Sequence, residues 1–120
     1  MSLLLWNCRG LGNPRTENEL VRLIQAKDPS VVFIAETWAD EARLDRTLIK
    51  INFDQKWVVP RRNRGGGLVL FWKSSINIEV VVSIGIILIQ LSMGILRMHG
   101  DSLVFMGSPK LIGGLKRGIN

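Results

Sequence analysis

An uncharged apolar run over residues 80–96 constrains this chain more than any other stretch of its sequence. Ile, Leu, Val and Met dominate the run, which is just long enough to cross a bilayer as a helix. Gln90 interrupts it, and its flanking charges, Glu79 and Arg97, are weak membrane anchors. The run is therefore a membrane span, a pair of buried strands, or a stretch that was never selected as protein.

The composition of the chain changes near residue 82. Nine of the ten acidic residues and seven of the eight aromatic residues lie in residues 1–82. The remainder is rich in Ile, Leu, Gly and Met. We therefore expect two parts: an ordinary α/β segment over residues 1–82, and a degenerate, irregular apolar tail over residues 83–120.

Charge and cysteine usage limit the class of protein. The formal net charge of +6 suits an anionic partner such as nucleic acid, and it equally suits a charge that serves solubility alone. Cys8 is the single cysteine, which excludes an internal disulfide and fits a reducing compartment. The first residues lack the basic start of a signal peptide, so we expect an intracellular location, in the nucleus or cytoplasm.

Apolar periodicity in residues 1–82 predicts the order β-α-β-α-β-β-β. The predicted strands cover residues 2–7, 31–36, 56–60, 68–72 and 76–82, and the last two are joined by a hairpin turn at residues 73–75. Thr16 and Glu19 have the spacing of a capping box, which predicts a helix from there to Lys27. Asp40 and Glu41 favour the start of a second helix.

Two polar residues stand where predicted strands end. Asn7 ends the first strand and Glu36 ends the second, and ligand sites of α/β sheets collect at such carboxyl ends. An amide and a carboxylate there are oxygen ligands of the kind that Mg²⁺ accepts. A strand-ending carboxylate and a turn-capping amide are the simpler interpretation of the same residues.

Basic and aromatic residues permit binding and structural interpretations alike. Arg61, Arg62 and Arg64 lie beside three glycines and could hold phosphate, or form a solvated loop. Arg9 is a further candidate for nucleic-acid binding, and its charge could lower the pKa of Cys8, although a structural thiol is the favoured interpretation. The four tryptophans lie in or beside predicted strands, which favours core packing over base stacking.

Several motifs agree with one family in order and spacing: "LLLWNCRGLGNPRT", "DPSVVFIAETW", "FDQKWVVP" and "GGGLVLFWK". Residues 1–82 thereby resemble the endonuclease/exonuclease/phosphatase superfamily, and most of all the apurinic-type endonuclease domain of plant LINE-type retrotransposons. The resemblance implies half of a two-sheet α/β sandwich, Mg²⁺ held by Asn7 and Glu36, DNA as the partner, and phosphodiester hydrolysis without a small-molecule cofactor. It leaves one sheet face uncovered, which predicts aggregation or self-association.

The chain departs from this family in the residues that complete catalysis. The family uses a tyrosine, a "GDFN"-like Asp/Asn pair and an "SDH"-like Asp/His pair, whereas this chain has no tyrosine. Ser102 and Leu103 follow Asp101 where Phe and Asn belong, and His99 follows Met98 rather than Asp. We interpret Asp101 and His99 as coincidences, and we expect the chain to be inactive.

The genetic code suggests a cause for these departures. If the ancestral codons began at the third base of each present codon, each ancestral residue would be encoded by the last base of one present codon and the first two bases of the next. Because Met has a single codon, the ancestral residue is fully determined at three of these junctions between neighbouring residues. The junctions 93/94 and 106/107 force glycine, and the junction 98/99 forces alanine, as the family stretch "NHIDTIINGDPEDAWRFTGFYG" requires. We therefore hypothesise that residues from about 83 onward translate an endonuclease gene in a shifted frame.

Three functions follow. The first is an inactive, truncated remnant of a retrotransposon endonuclease. The second is a small basic protein that binds nucleic acid without cleaving it. The third is a single-pass membrane protein spanning residues 80–96, which the short, interrupted run disfavours.

Overall fold

The computed structural model describes residues 2–59, 67–83, 86–91, 94–99, 102–107 and 110–112. Two helices and nine strands follow one another as β1 (Ser2–Asn7), α1 (Pro14–Lys27), β2 (Val31–Ala35), α2 (Glu41–Lys50), β3 (Gln55–Val59), β4 (Leu68–Trp72), β5 (Glu79–Ser83), β6 (Ile86–Leu91), β7 (Gly94–His99), β8 (Ser102–Gly107) and β9 (Lys110–Ile112). The predicted mixed α/β class with two sheets is confirmed.

The first sheet has the strand order β3-β4-β2-β1-β9. Its central strands β1 and β2 are parallel, with Leu3 opposite Val31 and Asn7 opposite Ala35. The buried residues of both strands, 3–6 and 31–34, are all apolar, as expected for strands covered on two sides. Leu4, Trp6, Val32 and Ile34 face the helices, whereas Leu3, Leu5, Val31 and Phe33 face the second sheet.

Helix α1 begins earlier than the capping-box spacing predicts. Asn13 is the N-cap: its Oδ1 accepts a hydrogen bond of 2.9 Å from the backbone N–H of Arg15. Pro14 occupies the first helical position, where its fixed φ suits a helix start, and Thr16 is then an interior residue only 2% exposed. The prediction of Thr16 as the cap is wrong, because Asn13 followed by proline is the stronger start.

Helix α2 begins as predicted. The Asp40 side chain accepts a hydrogen bond of 2.9 Å from the backbone N–H of Arg43. Both helices lie on the same face of the first sheet, with Leu20 and Leu44 in its core cluster.

A buried carboxylate joins the two helices. Glu17 of α1 is 6% exposed and accepts hydrogen bonds from Thr47 Oγ1 at 2.8 Å and from Lys50 Nζ at 3.0 Å. Burial alone would raise the pKa of Glu17, but the hydrogen bonds from Lys50 and Thr47, with the charges of Arg43 and Lys50, hold this pKa below its usual value. The ionised carboxylate therefore fastens α1 to α2.

The predicted hairpin between β4 and β5 does not form. A turn is present, since Ile76 N donates to Lys73 O at 2.8 Å, but β4 lies in the first sheet and β5 in the second. Asp54, just before β3, accepts hydrogen bonds from Ser74 N at 2.7 Å and from Ser74 Oγ at 2.9 Å. These bonds tie the turn to the first sheet at the point where the chain leaves for the second.

The tail is not irregular over its described residues. Strands β5, β6, β7 and β8 form an antiparallel sheet in that order, and β9 pairs parallel to β1. Alternation on the pleat supplies an inner face, where Ile89, Leu91 and Leu96 are buried against the first sheet. The sheet face that we expected to stay open is therefore covered by the tail itself.

The described part of the 80–96 run is strand, not helix. Among the residues that the structure describes, no helix has the length and hydropathy needed to cross a membrane. The helical membrane span, the disfavoured alternative, is wrong for these residues, because their side chains alternate between the two faces of a pleated sheet.

Candidate metal and nucleic-acid site

The carboxyl ends of β1 and β2 lie side by side in the first sheet. Asn7 is the last residue of β1 and stands opposite Ala35, so Glu36 follows immediately on the neighbouring strand. The parallel pairing places both residues at the same edge of the sheet, as the sequence predicts.

The Asn7 side chain holds an unsatisfied acceptor. Its Oδ1 atom is buried and has no hydrogen-bond partner, a state shared by only one other side-chain atom among the described residues, Arg43 Nε. A buried acceptor without a partner costs about 1–3 kcal/mol, so such an atom calls for an explanation such as a bound ion. Asn7 therefore has the property expected of a metal ligand, because a bound cation would supply the partner that its Oδ1 lacks.

Glu36 leaves its strand in a left-handed conformation. Its φ is 53°, and the nearby residues Arg9 and Trp38 have φ values of 52° and 48°. Such backbone costs on the order of 1–3 kcal/mol per residue and concentrates at functional sites. Three of the five non-glycine residues with positive φ in the described fold therefore lie just after β1 and β2. Backbone strain is concentrated at the carboxyl ends of these two strands.

Backbone hydrogen bonds hold these strained residues in place. Gly10 N donates to Glu36 O at 3.0 Å, and Leu11 N donates to Thr37 O at 2.7 Å. Thr37 N in turn donates to Gly67 O at 3.1 Å. The loop after β1 and the loop after β2 thus form one unit, and the position of the Glu36 side chain is determined by both.

The Glu36 carboxylate remains partly open to solvent and faces a cation. Its side chain is 36% exposed, and its Oε2 lies 4.0 Å from Nε of Arg9, whose side chain is 57% exposed. This is a loose, solvent-screened pair, which leaves the carboxylate oxygens available to a metal ion. Cys8, the residue before Arg9, is fully buried, and its Sγ lies 3.5 Å from Glu36 O, in agreement with a structural thiol.

The residues present fit a magnesium ion with an open coordination shell. Asn7 offers an amide oxygen and Glu36 a carboxylate, both hard oxygen ligands. The described residues contain no cluster of three or more His, Cys, Asp or Glu side chains that could hold a metal. Mg²⁺ commonly keeps several waters and is held by one or two carboxylates together with substrate phosphate, so two protein ligands are compatible with it.

The other candidate residues are distributed differently. Arg9 lies at the site, whereas Arg61, Arg62 and Arg64 fall outside the described residues. His99 is exposed at the end of β7 in the second sheet, and Asp101 falls outside the described residues.

The tryptophans do not all pack in the core. Trp6 is 2% exposed, and Trp57 and Trp72 pack against the buried cluster between the sheets. Trp38 is 43% exposed, so the prediction of core packing is wrong for this residue. Trp38 follows β2 on left-handed backbone, with φ 48°.

Comparison with known proteins agrees with the two-sheet α/β fold. The model of the Endonuclease/Exonuclease/phosphatase family matches residues 4–109. A 3' phosphatase from Neisseria, NExo, solved with a product DNA hairpin, shares the fold at 12% identity and a TM-score of 0.54, over 78% of this chain and 39% of that one.

A truncated Caenorhabditis elegans TDP2 matches at 16% identity and a TM-score of 0.45, over 85% of this chain and 43% of that one. The chain thus spans about two fifths of the length of these solved structures. No curated protein matches it. Since the family match covers most of the 120 residues, the chain belongs to the endonuclease/exonuclease/phosphatase family.

Proposed function

We propose that this chain is the metal-binding part of a DNA endonuclease of the plant LINE-type retrotransposon class, and that it binds DNA without cleaving it. The observation that supports this most is the buried, unpartnered Asn7 Oδ1 beside Glu36 at the carboxyl edge of the sheet. The DNA bound to the Neisseria phosphatase and the net charge of +6 support DNA as the partner.

Asn7 and Glu36 would hold a divalent cation, and Mg²⁺ at this position would neutralise charge on a phosphate oxygen. The family is generally metal-dependent. The role of Asn7 is to present a neutral oxygen that no other group of the described fold uses, and Glu36 supplies the negative charge. Arg9 attracts the phosphate backbone and lies within 4.0 Å of the same carboxylate.

The proposed lack of cleavage follows from the residues that hydrolysis also needs. A water must be oriented and a leaving oxygen protonated, and family members use tyrosine, Asp/Asn and Asp/His groups for these steps. The chain contains no tyrosine and a single histidine, His99, which lies on the second sheet. With metal ligands but without a general acid or a general base, the chain is expected to bind DNA and not to hydrolyse it.

The boundary near residue 82 is part of this proposal. A shifted reading frame from about residue 83 would account for the change in composition and for the loss of the later motifs. The family match runs on to residue 109 and described strands follow the boundary, so the test is the coding DNA itself. If the alternative frame does not spell a stretch resembling "NHIDTIINGDPEDAWRFTGFYG", the frame-shift hypothesis fails.

Nicking and binding of plasmid DNA test the proposed function together. We expect the purified chain to retard DNA in a salt-sensitive manner, more strongly with Mg²⁺ than with chelator, and to leave supercoiled and abasic plasmids uncut. Glu36→Gln is expected to remove the Mg²⁺ effect, whereas the control Asp45→Asn, an exposed carboxylate on α2, is expected to keep it. Metal-dependent cleavage that Glu36→Ala abolishes would overturn the proposed inactivity.

A further inference from the structure

Trp38 is an exposed aromatic side chain beside the proposed metal site. It stands two residues after Glu36, and 43% of its surface is open to solvent. The tryptophan on β1 next to the site, Trp6, is 2% exposed. A large ring left open at a strand end, where the core lies close by, is the arrangement of a binding surface more than of a packing residue.

The position of the Trp38 ring is fixed before any ligand arrives. Its backbone is held at φ 48°, and the preceding residue Thr37 is 1% exposed and bonded to Gly67 O at 3.1 Å. Gly10 provides the floor: a Cβ built there would lie 3.2 Å from Cε3 of the Trp38 ring. A ring pressed against glycine backbone, on a residue with a constrained φ, loses little freedom when it binds.

The neighbours of Trp38 define which ligand suits it. Arg9 offers a mostly exposed cation, and Glu36 with Asn7 forms the proposed site for a cation that binds phosphate. A ligand that uses all of these groups must combine a negatively charged group with a flat apolar face. A nucleotide with an unpaired base is such a ligand, because every base has a π face that stacks on an aromatic side chain.

We propose that Trp38 is a stacking platform for one unpaired nucleobase of a DNA strand whose phosphate lies at Asn7 and Glu36. This inference rests on the proposed function, since it takes the phosphate position from that site. It adds a preference for single-stranded or unpaired DNA over a fully paired duplex, because the faces of a base inside a duplex are covered by the neighbouring base pairs.

Binding of a short oligodeoxythymidine, followed by fluorescence anisotropy over a series of salt concentrations, tests the stacking. Trp38→Ala is expected to weaken binding by about 5- to 150-fold, the range for loss of one base–aromatic stack. The slope of log affinity against log salt should not change, because stacking releases no counterions. Arg9→Ala, in contrast, is expected to reduce that slope by about 0.7.

Two further variants separate stacking from folding. Trp38→Phe keeps a π face and is expected to retain most of the affinity, and Ile49→Ala, an exposed apolar residue on α2, is expected to bind like the unaltered chain. Thermal unfolding of each variant measures its stability. Equal weakening of binding by Trp38→Ala and Trp38→Phe, or no weakening by Trp38→Ala, would overturn the proposed stacking. In either case, salt-sensitive binding by the unaltered chain would still support the proposed function. Absence of any DNA binding by the unaltered chain would overturn both.

Discussion

At the scale of single residues, the site depends on backbone conformations that its side chains do not favour. Arg9, Glu36 and Trp38 all have positive φ, and the hydrogen bonds between the two loops hold them there. Gly10, at φ 111°, allows the loops to approach and leaves room for the Trp38 ring. The same strand ends carry the unpartnered oxygen of Asn7, so two unfavourable features occur together at the proposed site.

Replacement of Gly10 tests this dependence. Gly10→Ala is expected to destabilise the fold by about 1–3 kcal/mol, because alanine disfavours φ 111° and its Cβ would press on Trp38. Gly12→Ala is the matched control: a Cβ there meets nothing within 4 Å, so its effect should stay within about 0.5 kcal/mol. Urea unfolding measures both, and equal stability of the two variants would contradict the account.

At the scale of elements, the helices are fastened by polar contacts as well as by their apolar faces. The Glu17 carboxylate receives hydrogen bonds from Thr47 and Lys50 and lies 3.6 Å from Nη2 of Arg43. All three partners lie on α2, so the Glu17 side chain makes three of the polar contacts between α1 and α2, and Lys50 Nζ adds a longer hydrogen bond of 3.4 Å to Asn18 Oδ1 of α1. Helix α1 connects β1 to β2, the strands that end next to Asn7 and Glu36. The contact of α1 with α2 therefore also stabilises these two strands.

The lowered pKa of Glu17 has a consequence for stability in acid. A carboxyl group whose folded pKa is below its unfolded value of about 4.5 stabilises the fold above that value, and this stabilisation is lost as the pH falls through the folded pKa. Glu17→Gln is expected to lower the free energy of unfolding at neutral pH by about 1.5–3 kcal/mol and to reduce its fall below pH 4.5.

Glu41→Gln is the control for this variant. Glu41 is an exposed carboxylate 3.8 Å from Lys56, a surface pair expected to contribute less than about 1 kcal/mol. Urea unfolding at several pH values compares the two. An acid dependence of Glu17→Gln identical to that of the unaltered chain would show that the Glu17 contact does not fasten the helices.

At the scale of the whole molecule, the second sheet covers the first and is itself left uncovered over its described residues. Val81, Val104 and Met106 on its outer strands are 47–51% exposed. β5 and β8 are the edges of this sheet, and apolar edge strands are sites of pairing with other chains. The self-association expected from the sequence stays a prediction, but its location moves from the first sheet to the second.

Charge on this surface should suppress self-association. The double variant Val104→Lys with Met106→Lys is expected to lower the sedimenting fraction of oligomer and light scattering, because lysines on an edge strand oppose pairing. Ile49→Lys changes an exposed residue of α2 to the same charge and is expected to have a much smaller effect. Equal solubility gains from both changes would attribute the effect to net charge rather than to this sheet.

Local patterns predicted the helices and strands of residues 1–82 but not the tail strands β6 to β9, and contacts between distant residues decided how the strands pair. The strand over Ser2–Asn7 and the start of a helix at Asp40 and Glu41 follow from neighbouring residues, and both are confirmed. The hairpin between β4 and β5 is missing because the two strands lie in different sheets, and the turn between them is bonded to Asp54, twenty positions before Ser74, a contact that no local pattern reveals.

The strand-end rule likewise predicted where Asn7 and Glu36 lie. Trp38 is exposed on left-handed backbone, which tryptophan rarely adopts, and the unpartnered oxygen of Asn7 depends on which groups the fold brings near it, so neither could be predicted from sequence.

Titration with Mg²⁺ of the chain freed of metal by a chelator tests whether Asn7 and Glu36 form a divalent-cation site. Calorimetry measures the binding, and the shift in thermal unfolding measures the stabilisation. The unaltered chain is expected to bind one ion and to unfold at a higher temperature with Mg²⁺. Asn7→Leu should lose that shift and, without metal, should gain about 1 kcal/mol of stability, because a buried acceptor without a partner is removed. Equal binding by the unaltered chain, Asn7→Leu and Glu36→Gln, or no binding by any of them, would contradict the account.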